Sequence, residues 1–328
     1  MKILRIGDPH VKPSNINESD DLMIFVNDMI LKHKPDRVEL LGDLFHTHSI
    51  LRLEVIDFWN AWLDTLSEAS ELFVLTGNHD QSGDYSLGSS ALTVFQRIKK
   101  KKLQIVENAV HKGIFAYIAY HHDHEEFIAK ANGMANDGAR VLVCHQTFNG
   151  SKYESGMYAP GGIDPALLNY KTIISGHIHS TQYIKNGDQT VYYPGTPKWD
   201  TLSDANESKG IWLYEHDDQT GAVISETCIS TNEVCMPIFK LAWEENGKKP
   251  DLPERGKIYI DLVGSSQWVI ENTALLKGKA HIQSKITDKV KQEIRDPGKD
   301  FLDFLTNIFD EEPNRLKNVE YARELKIV

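Results

Sequence analysis

The sequence predicts an α/β protein with a largely parallel sheet covered on both faces by helices, and two observations carry that prediction. Short apolar runs alternate with segments whose apolar residues recur every three or four positions, the strand–helix alternation of βαβ units. Polar clusters then follow these runs, at Asp8-Pro9-His10, Gly42-Asp43, Gly77-Asn78-His79-Asp80, His145 and Gly176-His177-Ile178-His179. Open α/β sheets place their sites at the carboxyl ends of strands, so these clusters can meet along one rim.

In chain order, residues 3–7 read as a strand ending at Asp8. Ser19-Asp20-Asp21 precedes an amphipathic helix through Leu22, Phe25, Val26, Met29 and Ile30, which Pro35 stops. Residues 38–41 form a strand closed by Gly42-Asp43, and a second helix runs through Val55, Phe58, Trp59, Trp62, Leu63 and Leu66. Residues 72–75 are the third strand, leading to Gly77. Residues 141–144 and 172–175 deliver His145 and Gly176 in the same way, and shorter strands follow at 181–186, 190–193 and 210–215. Residues 245–256, rich in Gly, Pro and charge, read as a linker. Beyond it lie a strand at 257–263, a helix at 269–276 and a strand at 280–286. The tail carries Phe301, Phe304, Leu305 and Ile308 on one helical face, with a second short helix at 314–325.

A chain of 328 residues can hold one large core and a smaller domain. With 41 % hydrophobic and 25 % charged residues it has the composition of a globular protein, and no apolar run approaches the ~20 residues of a membrane span. Met1 leads straight into a strand rather than a charged and then apolar leader, so a cytoplasmic location without membrane contact is expected. The 3 cysteines form no CxxC pair, in keeping with a reducing compartment. Cys144 reads as a small buried strand residue. A net charge of −11 opposes unaided binding to a polyanion, although divalent cations would offset it at a site.

The 14 histidines point to metal chemistry, because several stand beside Asp and Asn in the polar clusters. Dinuclear phosphoesterase chemistry needs one ligand shared by both ions, imidazoles and carboxylates for the rest, and open positions for water and phosphate. Past a strand end the chain can turn both members of Asp8-Pro9-His10, or of His177-Ile178-His179, inward, where Asp43 and Asn78 can join them. His121-His122-Asp123-His124 is also rich in potential ligands, but it reads as the opening of a solvated helix.

Together, Asp8-x-His10, Gly42-Asp43, Gly77-Asn78-His79-Asp80, His145 and Gly176-His177-x-His179 resemble the ordered motif set of the calcineurin-like metallophosphoesterases. The resemblance implies a layered α/β/β/α core with a small α+β C-terminal capping domain. It implies that Asp8, His10 and His179 hold one metal, that Asn78, His145 and His177 hold the other, and that Asp43 bridges them. His79 would then assist at the leaving oxygen, with Asp80 orienting its ring. An Arg shortly after the bridging Asp and a closing Glu in the third motif mark the protein phosphatases of this superfamily, and both are missing here. Asp43-Leu44-Phe45-His46 instead resembles the nuclease subunits of SbcCD-type DNA repair complexes, compact phage members above all, in which His46 would assist catalysis. Tyr192-Tyr193-Pro194-Gly195-Thr196-Pro197 resembles the segment that follows the last ligands in that family.

The resemblance thus implies a nuclease domain over 1–232, a capping domain over 233–295 and a helical segment over 296–328, whose apolar face either docks an SbcC-type coiled-coil ATPase or packs on its own domain. The expected activity is Mn²⁺-dependent hydrolysis of DNA phosphodiesters, exonuclease on duplex ends and endonuclease on single strands, in a bacterial or phage-infected cell. Two divalent ions are expected; Mn²⁺ suits mixed Asp, Asn and His ligands, and Mg²⁺ is the alternative. A homodimer is expected, through the helix at 55–66 or residues 84–100. A small-molecule phosphodiesterase and a non-catalytic scaffold for a repair ATPase are the competing functions.

Overall fold

The computed structural model describes residues 1–48, 50–82, 90–96 and 102–287. The tail with Phe301, Phe304, Leu305 and Ile308, the helix expected at 314–325 and most of 84–100 lie outside the described residues.

The first half runs β1 (Lys2–Ile6), α1 (Ile16–His33), β2 (Arg37–Leu40), α2 (Leu53–Ala69), β3 (Glu71–Leu75), β4 (Leu103–Val106), β5 (Ala109–Lys112), β6 (Phe115–Ile118), α3 (His124–Asn136) and β7 (Val141–His145). It continues with β8 (Thr172–Gly176), β9 (Gln182–Asn186), β10 (Gln189–Tyr193), β11 (Gly210–His216), β12 (Val223–Ser230), β13 (Ile238–Glu244), β14 (Lys257–Gly264), α4 (Ser266–Leu276) and β15 (His281–Ile286). The strands form two six-stranded sheets, in the orders β12-β11-β1-β2-β3-β4 and β5-β6-β7-β8-β10-β9, and a three-stranded sheet β13-β14-β15. β1 to β4 pair in parallel, as do β6, β7, β8 and β10, while β11, β12, β5 and β9 add antiparallel edges.

Strand–helix alternation alone predicts one sheet, and the structure has two facing each other. Strands buried on both sides read as continuous apolar runs whichever sheet they join, so periodicity cannot sort them. Ile3, Leu41, Phe73 and Leu75 of the first sheet pack against Tyr117, Val141, Val143 and Ile174 of the second. On the outer face of the first sheet, α1 and α2 bury Leu22, Val26, Phe58, Trp59 and Leu63. α3 covers the second with Phe127 and Ala131. The layers are therefore α/β/β/α, as the family resemblance implies.

The helix limits have local causes. Lys34 takes a left-handed conformation (φ 48°) and returns its N–H to the Ile30 carbonyl, ending α1 just before Pro35. Asp123 caps α3 by accepting the N–H groups of Glu125 and Glu126 at 2.9 and 3.0 Å. His121-His122-Asp123-His124 accordingly opens a helix. Cys144 is fully buried, and burial pushes its thiol up to about 12. No helix among the described residues is long and apolar enough to cross a membrane.

The described residues divide into two compact units, Met1–Leu241 with Asp251–Ile260, and Ala242–Pro250 with residues 261–287. The junction expected at 232/233 falls ahead of this division. In the second unit, α4 follows the last residues of β14, and Trp243 and Trp268 meet edge to face.

Candidate metal centre

The polar clusters meet at the carboxyl ends of β1, β2, β3, β7 and β8, which the parallel register brings to one rim. The backbone turns sharply there. His10, Asp43 and His177 have φ of 43°, 51° and 80°, three of the five non-glycine residues with positive φ among those described. A left-handed residue just past a strand throws its side chain back over the sheet end, at a strain cost of about 1–3 kcal/mol. The surrounding loops oppose that cost: His10 N–H donates to the Asp43 carbonyl at 3.0 Å, Val11 N–H to that of Leu44 at 2.9 Å, and Trp59 Nε1–H to Leu44 at 3.1 Å.

The glycines before the ligands leave no space for a side chain. A Cβ on Gly77 would lie 2.2 Å from Asp43 Oδ1, and one on Gly176 would lie 2.5 Å from the Leu41 carbonyl and 2.8 Å from Asp8 Oδ1. Backbone N–H groups then orient the carboxylates. Asp8 accepts from His177 N–H at 3.0–3.1 Å, and Asp43 Oδ1 accepts from His79 N–H at 2.8 Å.

Acceptor atoms converge at two points. His145 donates Nδ1–H to the Leu41 carbonyl at 2.7 Å, which directs its Nε2 at Asn78 Oδ1 (3.0 Å) and Asp43 Oδ2 (3.4 Å). His177 Nδ1 lies 2.7 Å from the same Asn78 oxygen. On the other side of Asp43, His10 Nε2 is 3.6 Å from Oδ2 and 3.0 Å from His179 Nε2, while His10 Nδ1 is buried without a hydrogen-bond partner. Asp43 Oδ2 stands between the two groups. Lone pairs facing lone pairs at these separations repel unless a proton or a cation lies among them. This mixed set of oxygen and imidazole donors suits a divalent ion at each point.

The electrostatics agree. Burial opposes a charge on His145, yet Asp43 and Asp8 outweigh it and raise the imidazole to about 9, so its Nε2 carries a proton that a cation displaces on binding. Burial also works to raise Asp43, but His145 and His10 hold it well below the usual carboxylate range. Burial pushes His10 well down and, with His145 adding to it, takes His177 to about 3, so both are neutral and free to ligate. Burial, reinforced by Asp43, lifts Asp8 to about 6. Among the described residues, three groups could hold an ion: His10, Asp43 and His79; Asp43, His145 and His177; and Glu154, His179 and Asp204.

All ten residues singled out in the sequence lie in or beside this rim. Asp80, however, does not orient the His79 ring. Its carboxylate is buried and accepts the N–H groups of Phe45 (3.0 Å) and Gly77 (2.9 Å), tying the Asp43 loop to the Asn78 loop. His79 Nδ1–H donates instead to the His46 carbonyl at 2.8 Å. The His46 ring is 5.6 Å from that of His10, and its Nδ1 is 3.5 Å from Asp200, which also pairs with Lys12. The Pro-Gly-Thr segment backs the site, with Thr196 N–H donating to the His179 carbonyl at 3.0 Å.

Sequence reasoning missed His48, whose ring stacks on His79, and Glu154, which lies 3.2 Å from His179 Nδ1. His46-Thr47-His48 repeats the alternate-residue spacing of the ligand pairs, so His48 carried a signal. Glu154, in a loop of turn residues, carried none.

Comparison with known proteins locates this architecture. A family model described as calcineurin-like phosphoesterase matches residues 1–181. The 244L protein of Invertebrate iridescent virus 6, whose name assigns it provisionally to the phosphoesterases, is 24 % identical over 67 % of this chain and 78 % of its own length. Exonuclease subunit 1 of Enterobacteria phage T4 is 25 % identical over 66 % of this chain and 65 % of its own. The DNA double-strand break repair protein Mre11 of Nanoarchaeum equitans is 22 % identical over 65 % of this chain and 64 % of its own. This chain thus spans just under two thirds of each of these last two relatives.

Proposed function

The chain belongs to the calcineurin-like phosphoesterases, hydrolases of phosphate esters, and from that premise we propose that it is a Mn²⁺-dependent DNA nuclease. In this reading it cleaves duplex ends exonucleolytically and single strands endonucleolytically, as the catalytic subunit of an SbcCD-like repair or recombination complex.

The observation that carries the reading is Asp43 Oδ2, 3.4 Å from His145 Nε2 on one side and 3.6 Å from His10 Nε2 on the other. It is the place for a ligand shared by two ions. Asp8, His10 and His179 would hold one ion with Asp43, and Asn78, His145 and His177 would hold the other. When bound, two divalent cations supply charge neutralisation at phosphorus and an activated water. Mn²⁺ is favoured over Mg²⁺ because four imidazoles stand beside the Asp and Asn oxygens, and Mg²⁺ prefers oxygen and water. His79 donates Nδ1–H to the His46 carbonyl, and its Nε2 assists at the leaving oxygen when it carries a second proton. His46 flanks it, and Asp80 fixes both loops.

The exonuclease subunit and the DNA double-strand break repair protein among the relatives, with the Asp43-Leu44-Phe45-His46 segment, support DNA as substrate. A net charge of −11 leaves the hold on a long polyanion to a partner, for which a coiled-coil ATPase of the SbcC type is proposed. Residues 296–328 are the proposed dock. α2 spends Val55, Phe58, Trp59, Leu63 and Leu66 on its own core, so a homodimer through this helix would use its exposed start, Leu53 with Ile50 and Leu51.

The deciding assay takes the full chain with Mn²⁺ on duplex DNA, single-stranded DNA and a small aryl phosphodiester, beside Asp8→Ala. DNA cleavage lost in Asp8→Ala is expected. Equal activity in the two proteins would refute the reading, and turnover of the small diester alone would identify a small-molecule phosphodiesterase.

A further inference from the structure

His179 is held on three sides. Its carbonyl accepts from Thr196 N–H and from Lys209 Nζ, both at 3.0 Å, and its ring Nδ1 lies within ion-pair distance of Glu154 Oε1, at 3.2 Å. The remaining ring atom, Nε2, points at His10 Nε2. Glu154 is itself largely buried, with its side chain 16 % exposed, which is unusual for a loop glutamate unless it is paired. Two neighbours on its loop, Met157 and Tyr158, are turned out to solvent. The carboxylate is therefore folded inward while the loop around it faces outward.

We infer that Glu154 is a positioning residue that fixes the His179 tautomer with the proton on Nδ1, holding Nε2 as a lone pair toward the first metal position. A neutral imidazole can carry its proton on either nitrogen, and a carboxylate at one nitrogen reserves the other as ligand while increasing its basicity. Nothing in the strand pattern supplies this. His145 obtains the same result from the Leu41 carbonyl, so the two metal positions are primed by different means. The Leu41 device is part of the sheet end, whereas the Glu154 device rides on the loop between Phe148 and Ile163, which a parallel bridge joins at its base. The ion on the His10 side is thereby made dependent on this loop, and the ion on the His145 side is not.

This inference rests on the two-metal reading, and its test separates the two. Mn²⁺ alone is titrated calorimetrically into the full chain and into Glu154→Ala, Glu154→Gln and His179→Ala, with thermal melts confirming folding. Glu154→Ala should bind one ion as wild type does and the other roughly 10- to 100-fold more weakly. Glu154→Gln, which keeps an acceptor without the charge, should fall between. Wild-type affinity at both positions in Glu154→Ala, or equal weakening at both, would overturn the role assigned to Glu154. Two ions bound undiminished in His179→Ala would instead overturn the metal reading itself.

Discussion

His48 stacks on His79 with ring centroids 4.0 Å apart and planes 28° apart, and its Nδ1 lies 3.0 Å from the Asn78 carbonyl oxygen. The His79 ring is thus fixed by a stack on one face and by the His46 carbonyl at Nδ1, and burial lowers its pKa. Replacing His79 with Gln should leave both ions bound and reduce turnover roughly 10²–10⁴-fold, the usual worth of a positioned acid. Metal content and steady-state rates check this together. Loss of an ion would show that His79 is a ligand alongside His10 and Asp43.

His48→Ala tests the stack separately. An aromatic pair contributes about 0.5–1.5 kcal/mol, so turnover should fall roughly 2- to 12-fold with metal binding unchanged. A drop as large as that of His79→Gln would mean His48 contacts the substrate itself.

Gly77→Ala places a Cβ 2.2 Å from Asp43 Oδ1, 2.4 Å from Asp43 N and 2.8 Å from His145 Cε1. No rotamer relieves a clash with backbone, so the Asn78 loop must move away from Asp43. Both ions depend on Asp43, and the expected result is loss of both from a chain that still folds. Calorimetric titration with Mn²⁺ and a far-UV spectrum would reveal it. Retention of either ion would mean that the loops tolerate the shift.

Much of this site can be read along the chain, because each ligand follows an apolar run and the runs are strands. Asp8, Asp43, His145 and His177 could be placed at strand ends without knowing how the strands pair. The target of Asp80 could not. A carboxylate next to a histidine looks like its orienting partner, but the buried N–H groups of Phe45 and Gly77 were also unpaired, and an ionisable acceptor satisfied them first. The division into two sheets was hidden for a different reason. β4 and β5 are short and only partly buried, so neither alternation nor a continuous apolar run marks them. Glu154 reaches His179 only through tertiary structure.

Asp80 accordingly makes a structural prediction. Asp80→Ala leaves two buried N–H donors without acceptors, at about 1–3 kcal/mol each. Asp80→Asn can still accept from one donor but turns its own amide N–H toward the other, so it should be destabilised by less. Urea unfolding of the three proteins should rank wild type, Asn and Ala in that order. Asn and Ala variants as stable as wild type would contradict this account of Asp80.

The last prediction concerns acid stability away from the metals. His216 is buried with Nε2 2.7 Å from Arg5 Nη1 and Nδ1 3.1 Å from the Gly221 carbonyl oxygen, so the neutral ring accepts from one and donates to the other. Burial, and then the Arg5 guanidinium, take its pKa down to about 3. The unfolded chain binds this proton near pH 6.5 and the folded chain does not until near pH 3. Stability from this residue is therefore complete above about pH 6.5 and is lost as pH falls between the two values, with a slope of at most about 1.36 kcal/mol per pH unit. Other groups titrate in the same window, so the informative quantity is the difference from His216→Gln, which can still accept from Arg5 but cannot be protonated. Urea unfolding from pH 4 to 6.5 should show the variant losing less stability than wild type as pH falls. Parallel profiles would mean that His216 takes up its proton equally in the folded and unfolded chain, and that Arg5 does not hold it neutral.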